Sequence, residues 1–549
     1  MNVKVWAAIF GCALAASASA TANKYVAGGW EFASAGVGTL LSRAAVLDKT
    51  PFDGFIVYFE AEGRDGLHLT SRNIIHQRAW DYGEVAPLEA KYQELTSHRS
   101  FSHSFMNSYR APTNRVDWTD DATWARIANN MRVVARLAKR SGFVGLQMDP
   151  EDYYDQHQYS RRKGCDGGMP YGELSQKARA RARQVFGPVF EEFPDVKLLS
   201  YWFLTLDRRY VVATDGRYLK DRIDMAGGDL WPAFVDGIFD VLPPTATLID
   251  GCENAYIYSA SRNEYINAAI QARGDLVWLL SPENRAKYRA QMQMSFGVYL
   301  DGYCRTDTKS NWYMGPIDGS RLKHLEANLR QATKAADEYI WFWGENGSWA
   351  DTAKRWESRM PGLTDALLSV KDPVAYGRLL RRRLEAGKLK ALNANSACVG
   401  TDPKKVPAPY GTWQKPPKKG PAGTFGCDLT TGDGDSCSLV GDSVSSGCFT
   451  FERDGFKPGD RFGLSFASKG RRIASGINWH TAGRNNWAVH RQIVPISRDV
   501  DANGWSHTDW SFAIPDGVDG FTITFSVNLG AGEKCWYDNI LVIPANPIN

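Results

Sequence analysis

Between residues 25 and 344, short apolar runs alternate with longer stretches whose apolar positions recur every three or four residues. Short apolar runs bounded by turn residues mark strands, and the 3.6-residue period marks helices. The strands so predicted are 25–32, 54–60 (GFIVYFE), 100–109, 143–148, 196–204, 246–250, 295–301 and 338–344 (EYIWFWG). Helices are predicted over 35–48, 116–139, 173–193, 228–240, 260–290, 321–336, 362–370 and 374–390, with a further one after a loop between strands 54–60 and 100–109. In the second of these, Trp124, Ile127, Met131, Val134 and Ala138 share one face. Eight strands, each followed by helix, predict an α/β fold, a (β/α)8 TIM barrel over 21–395. A doubly wound open sheet is the alternative. It normally carries a nucleotide loop, and neither G-x-G-x-x-G nor G-x-x-x-x-G-K-[ST] is present.

The pattern then changes. Residues 396–424 hold Pro403, Pro407, Pro409, Pro416, Pro417 and Pro421 among lysines and glycines, a linker composition. From 425 to 549 the chain is short β runs (FGLSFAS, FTITFSV, WYDNILVI) broken by Gly, Asp and Asn, which predicts a β-sandwich.

Composition narrows the function. The chain's 549 residues exceed what one core holds, in keeping with two domains. A net charge of +4 points to neither nucleic acid nor a membrane surface. Aromatic content of 12%, with 19 Trp and 23 Tyr, suits sugar rings, whose faces stack on aromatic planes. Residues 1–20 read as a signal peptide: Lys4, an apolar run from Val5 to Ala16, then Ala18-Ser19-Ala20. The run is too short to span a bilayer, and no later segment is long enough. The expected location is therefore secreted, periplasmic or cell-surface. Export permits disulfides, and at least one bridge is expected among Cys427, Cys437, Cys448 and Cys535. Cys252 and Cys304 follow successive strands and are candidate neighbours. Zinc is not expected, since C-x-x-C and H-E-x-x-H are absent.

In a barrel the carboxyl ends of all strands face one mouth. The acids placed there are Glu60, Glu62, Asp149, Glu151, Glu253, Asp301 and Glu345. Glycosidic cleavage needs one protonated carboxyl as donor and one carboxylate as nucleophile or base. Crowding and aromatic walls raise one pKa and keep it a donor. The expected roles are Glu151 as general acid and Glu253 as nucleophile or base. Asp149 tunes them, and Glu345 binds substrate or exchanges roles with Glu253. Tyr153, Trp202, Tyr256, Asp301, Trp343, Arg110 and Glu60 are expected to line the substrate, and catalysis needs no cofactor. Without a G-x-S-x-G elbow, serine hydrolysis has no support. The expected function is a secreted glycoside hydrolase acting on a poly- or oligosaccharide. The alternatives are a non-catalytic glycan-binding protein on a degenerate barrel and a polysaccharide lyase.

Met148-Asp149-Pro150-Glu151-Asp152-Tyr153 resembles the D-x-E-bearing fourth strand of barrel glycoside hydrolases such as family-18 chitinases and family-25 lysozymes. The resemblance implies that Glu151 donates the proton and Asp149 assists. The longer D-x-x-D-x-D-x-E signature is absent, Gln147 standing where the chitinases have Asp, which speaks against an N-acetyl-assisted route. Glu253 after strand six and the ending Trp341-Phe-Trp-Gly344-Glu345 are similar to those of bacterial barrel glycosidases. The tail resembles family 4/9-type carbohydrate-binding modules of the galactose-binding-like sandwich, on residues 456–470 and 535–542. That likeness implies a structural calcium at Asp538, with Asp433 and Asp435 as weaker candidates, and Trp479, Trp487 and Trp505 as stacking rings. The cysteine richness of this tail departs from many of its relatives.

Overall fold

The computed structural model describes residues 23–75, 77–110, 114–151, 158–161, 168–211, 223, 229–393, 402–417, 420–481, 484–485 and 491–546. The leader 1–20, Tyr153 and Trp487 lie outside them. The chain divides into two compact units, Met1–Leu367 and Leu368–Asn549. Among the described residues, no helix is long and apolar enough to cross a membrane.

In the first unit, nine strands form one all-parallel sheet. They are β1 (Lys24–Gly29), β2 (Gly54–Val57), β5 (Phe105–Arg110), β6 (Gly145–Asp149), β7 (Lys197–Ser200), β8 (Thr247–Asp250), β9 (Met292–Met294), β10 (Gly297–Tyr299) and β11 (Tyr339–Gly344). A hairpin of β3 (Glu60–Glu62) and β4 (His68–Thr70) stands apart from it. The order is β10-β11-β1-β2-β5-β6-β7-β8-β9.

The expected count was eight. The difference lies in the stretch predicted as one strand over 295–301. There β9 pairs with β8, β10 pairs with β11, and Leu300–Cys304 is helical. No ladder joins the two end strands, yet only Ser295 and Phe296 separate them in the chain. Ser295 N donates to the Asp250 carbonyl at 2.8 Å, and Trp341 N donates to the Phe296 carbonyl at 3.2 Å.

Contacts across the interior show that the sheet curls into a barrel-like arrangement. β7 and β11 lie five places apart along the sheet. Even so, Lys197 Nζ holds both oxygens of Glu338 at 2.6 Å, and Tyr201 stacks on Trp341 at 4.5 Å. One apolar cluster gathers Val26, Ile56, Phe105, Leu199, Ile249 and Trp341 from six strands. Because side chains alternate along a strand, residues two apart point the same way. The inward series of β7 is Lys197, Leu199 and then Tyr201; that of β11 is Tyr339, Trp341 and then Trp343.

Helices follow the predicted periodicity. Asp121–Arg140 starts at Asp120, whose side chain accepts from Thr123 N at 3.0 Å, and ends on Lys139 and Arg140, which suit the helix dipole. Its face of Trp124, Ile127, Met131, Val134 and Ala138 is buried. It packs against Tyr171–Glu192, which packs in turn on Trp231–Val241.

The second unit is a sandwich of two antiparallel sheets. One runs β12 (Tyr410–Gln414), β15 (Gly447–Asp454), β21 (Gly520–Val527), β17 (Ala474–Thr481), β18 (Arg484–Asn485), with β19 (Arg491–Val494) also on β17. The other runs β13 (Thr424–Asp428), β14 (Ser438–Asp442), β22 (Lys534–Pro544), β16 (Arg461–Gly470), β20 (Ser506–Ala513). Phe449, Phe451, Ile477, Phe521, Ile523 and Phe525 face the core from the first sheet. The stretch expected as linker supplies β12, because Tyr410-Gly-Thr-Trp-Gln is a proline-free run that can donate to the ladder. Helix Pro373–Glu385, which the sequence reading assigned to the barrel, packs on β16 and β20 in this unit.

Two expected stacking rings are in the wrong place for that role. Trp479 is 5% exposed, in the core with Ile477 two residues before it, and Trp505 is 2% exposed. Parity explains the first: Gly476, Asn478 and His480 take the outer face. The described cysteines, Cys252, Cys304, Cys427, Cys437, Cys448 and Cys535, contain no disulfide, so the expected bridge is not among them.

Gly145 marks where β6 is pinched against β7. A Cβ there would lie 1.8 Å from the Lys197 carbonyl oxygen. Gly145→Ala is expected to cost about 1–3 kcal/mol in urea unfolding, as overpacking does. Wild-type stability would show that the two strands separate freely.

Candidate active site

Three acids meet where β6 and β8 end. Asp149 closes β6 with the inward parity of Gln147, and Glu151 follows two residues on. The Glu151 amide donates to Asp149 Oδ1 at 3.1 Å, which folds the short segment back on itself. Arg110, opposite Asp149 in register at the end of β5, places Nε 4.0 Å from Asp149 Oδ2.

Glu253 comes from the turn after β8. Asp250, fully buried, holds that turn. Its carboxylate accepts from Leu204 N at 2.8 Å, Thr205 N at 3.1 Å, Thr205 Oγ1 at 2.7 Å and Cys252 N at 3.0 Å. It thereby ties the loop after β7 to the loop after β8. Cys252 takes a left-handed backbone (φ 43°), an uncommon state for a residue with a Cβ. The next amide, Glu253 N, donates to the Tyr201 carbonyl at 3.1 Å.

The electrostatics show that these acids share one space. Burial pushes Glu151 up strongly, and the charges of Asp149 and then Glu253 add to it. Burial also raises Glu253, with Asp149 adding to it. Asp149 is raised by burial too, but less, because the Glu151 amide and Arg110 oppose the rise. Of the pair, Glu151 is raised further, so the shared proton resides there. Tyr256 lies in the field of Glu253, Glu151 and Glu345, and Tyr201 in that of Asp149 and Glu151.

Aromatic rings wall this space. Tyr256 stacks on Tyr299 at 5.2 Å and lies 5.3 Å from Trp341, with Trp312 edge-on at 5.9 Å. Trp343 meets Tyr201 at 5.8 Å and Trp30 at 5.9 Å, both edge-on. Trp202 packs half-buried on the same cluster. Glu345 accepts from Tyr299 OH at 3.1 Å and Trp343 Nε1 at 3.4 Å.

Other expected residues fall elsewhere or do different work. Asp301 is 3% exposed and accepts from Glu345 N at 2.7 Å and Asn346 Nδ2 at 2.9 Å, so it holds the Glu345 turn and is not open to substrate. Its helical position explains this, since β10 stops at Tyr299, two residues before the predicted strand end. Glu60 sits on the β3–β4 hairpin, 3.9 Å from His68. The chain leaves the main sheet at Val57, which carries Glu60 off the strand end where the sequence placed it. Asp538 in the second unit accepts from the amides of Asp433 and Asn539, both at 2.7 Å. Burial pushes its carboxyl up to about 6. Nearby, Asp433, Asp501 and His507 bring ligand atoms within 4.8 Å of one another. Both Asp538 oxygens are engaged by these amides, and Asp433, Asp501 and His507 offer two carboxylates and an imidazole beside it. Sequence reasoning missed Tyr201, Tyr299 and Asp250. The parity Leu199–Tyr201 was a usable signal for the first. Nothing in the sequence distinguished Asp250 from an ordinary strand-end acid.

No protein-family model matches the chain, and no curated protein matches it. Among solved structures, the enzymatically active domain of bacteriophage CBA120 tailspike protein 4 is similar at 16% identity over 27% of this chain and 21% of that one, with a TM-score of 0.22. The CBM22-1–GH10 modules of Clostridium thermocellum endo-1,4-β-D-xylanase 10B are similar at 10% identity over 25% and 26%, TM-score 0.20. The CBM22-1 xylan-binding domain of Paenibacillus barcinonensis Xyn10C is similar at 8% identity over 29% of this chain and 97% of that one, TM-score 0.22. The chain thus spans about a quarter or less of the first two. At these TM-scores the likenesses carry no weight for fold or activity, which rest on the geometry above.

Asp250→Asn puts an amide NH2 among four donors and leaves at least one without an acceptor. The expected cost is about 1–3 kcal/mol. Hydrogen exchange at the Leu204, Thr205 and Cys252 amides should accelerate above the rest of the unit. Unchanged exchange at those three would remove Asp250 from its clamping role.

Proposed function

We propose that the first unit is a glycoside hydrolase acting by paired-carboxylate chemistry on a poly- or oligosaccharide, and that the second is its glycan-binding module. The observation that carries this is the meeting of Asp149, Glu151 and Glu253, from two non-adjacent strands, in one buried aromatic-walled space. Glu151 holds the proton and donates it to the leaving glycosidic oxygen. Glu253, as the carboxylate, attacks the anomeric carbon or activates water there. Asp149, kept ionised by Arg110, holds the Glu151 proton until transfer and faces the positive charge that develops on the sugar ring. Trp202 and Trp343, half-buried, stack on the rings of the substrate, Tyr256 and Tyr299 back them from the buried wall, and Glu345 bonds its hydroxyls. The carboxyls supply acid and base themselves, so the reaction includes no cofactor. Export through segment 1–20 would place the enzyme where polysaccharide is met.

The test is reducing-end release from a polysaccharide panel. Glu151→Gln should lower turnover by about 10²-fold or more while leaving the fold intact. Near-wild-type release would discard its role. Release by neither the wild type nor the variants, with binding kept, would favour a non-catalytic protein.

The pH profile tests the same site. Activity needs Glu151 protonated, below its pKa, and Glu253 ionised, above its pKa. Both are raised, so both limbs sit higher than the range near 4.3 of an ordinary glutamate. Asp149→Asn removes a charge that raises both, and it should move both limbs to lower pH. Limbs that stay in place would show that Asp149 is remote from the pair.

A further inference from the structure

The outer face of the β12-β15-β21-β17 sheet is polar and bears a cleft of about 530 Å³. Its floor and walls come from Trp413 on β12, Cys448 on β15, Ser526 on β21, Asn528 just beyond it, Asn478 on β17 and Arg491 on β19. The register shows why these side chains gather. Trp413 pairs with Cys448, Cys448 with Ser526, and Asn478 with Arg491, so all point away from the apolar core. From β12 to β19 is four strand spacings, or roughly 19 Å, long enough for a chain ligand lying across the strands.

The ends of the cleft differ in chemistry. Trp413 stands on the edge strand and is 56% exposed, a ring open on its face. At the other end the Arg491 guanidinium lies over Gly476. A Cβ at Gly476 would come within 2.8 Å of Arg491 Nε and 3.2 Å of Nη2, so the missing side chain is what lets the fork lie flat in the cleft. Among the described residues Arg491 has no ion pair. The acids of this face, Glu452 and Asp454, sit further along β15, and Asp454 is engaged by His480 Nδ1 at 2.6 Å. The cleft therefore offers an aromatic platform, amides and hydroxyls, and one uncompensated planar cation.

We propose that this cleft binds an acidic glycan, with Arg491 receiving a carboxylate or sulfate of the chain while a sugar ring stacks on Trp413. The guanidinium fork matches the two oxygens of such a group. This rests on the reading of the second unit as a glycan-binding module and adds the charge class of its ligand.

The experiment is affinity electrophoresis and calorimetry of the full chain on four polymers: polygalacturonate (carboxylate only), dextran sulfate (sulfate only), and neutral β-1,4-galactan and xylan. Arg491→Ala and Trp413→Ala accompany the wild type, with thermal unfolding as the check on folding. Binding to one or both acidic polymers, stronger than to the neutral pair, is expected. Arg491→Ala should weaken it by about tenfold or more, the scale of one charge-assisted hydrogen bond. Which acidic polymer loses affinity identifies the group. Equal binding of acidic and neutral chains, sensitive to Trp413→Ala but not to Arg491→Ala, overturns the acidic ligand and keeps the glycan-binding module. Acidic binding indifferent to Arg491→Ala overturns it too, as diffuse attraction. Binding to none of the four overturns both.

Discussion

Three carboxylates brought into one apolar space cannot all stay ionised. Each would be stripped of water, and each would face two like charges at short range. Among the described residues, the cation that opposes this at the Asp149–Glu151 pair is Arg110, 4.0 Å from Asp149. The frustration is relieved by keeping a proton, and it falls to Glu151 because the Glu151 amide and Arg110 hold Asp149 lower. A stored proton beside a carboxylate is what glycosidic bond cleavage consumes. The chemical proposal thus follows from a cost the fold accepts at this one place.

The scaffold is arranged to enforce that cost. Asp149 is fixed by β6 itself, buried between β5 and β7. Glu253 cannot relax away, because Asp250 pins the turn before it and Tyr201 receives its amide. Asp301 does the same for Glu345 from the helix after β10. Two buried aspartates thus act as staples for the two loops that carry Glu253 and Glu345, each meeting its need for donors with backbone N–H and side-chain N–H or O–H groups. The aromatic walls contribute twice, since they exclude water from the acids and present flat faces to sugar rings.

Much of this was legible before any coordinates. The eight apolar runs, the helix between 121 and 140 and the acids after β6 and β8 all follow from period and position. What escaped was non-local. Residues 292–299 contribute to two ladders because they must serve both β8 and β11, and no local pattern encodes a strand shared between neighbours. Asp301 read as a rim acid because its predicted strand, 295–301, ran two residues past Tyr299, where β10 stops pairing. Trp479 could have been placed in the core, since Gly476, Asn478 and His480 alternate with Ile477 and Trp479. The expectation that tryptophans stack on ligand overrode that parity. Trp413 was passed over because prolines on either side made its surroundings read as linker.

The central claim is that Glu151 and Glu253 share one electrostatic site. Carbon-13 NMR titration of the Glu151 side-chain carboxyl, in the wild type and in Glu253→Gln, measures this without any substrate. With the Glu253 charge gone, the Glu151 midpoint should fall toward that of an ordinary glutamate. A midpoint unmoved by Glu253→Gln would mean that the two acids do not see each other, and the account of the site would be wrong.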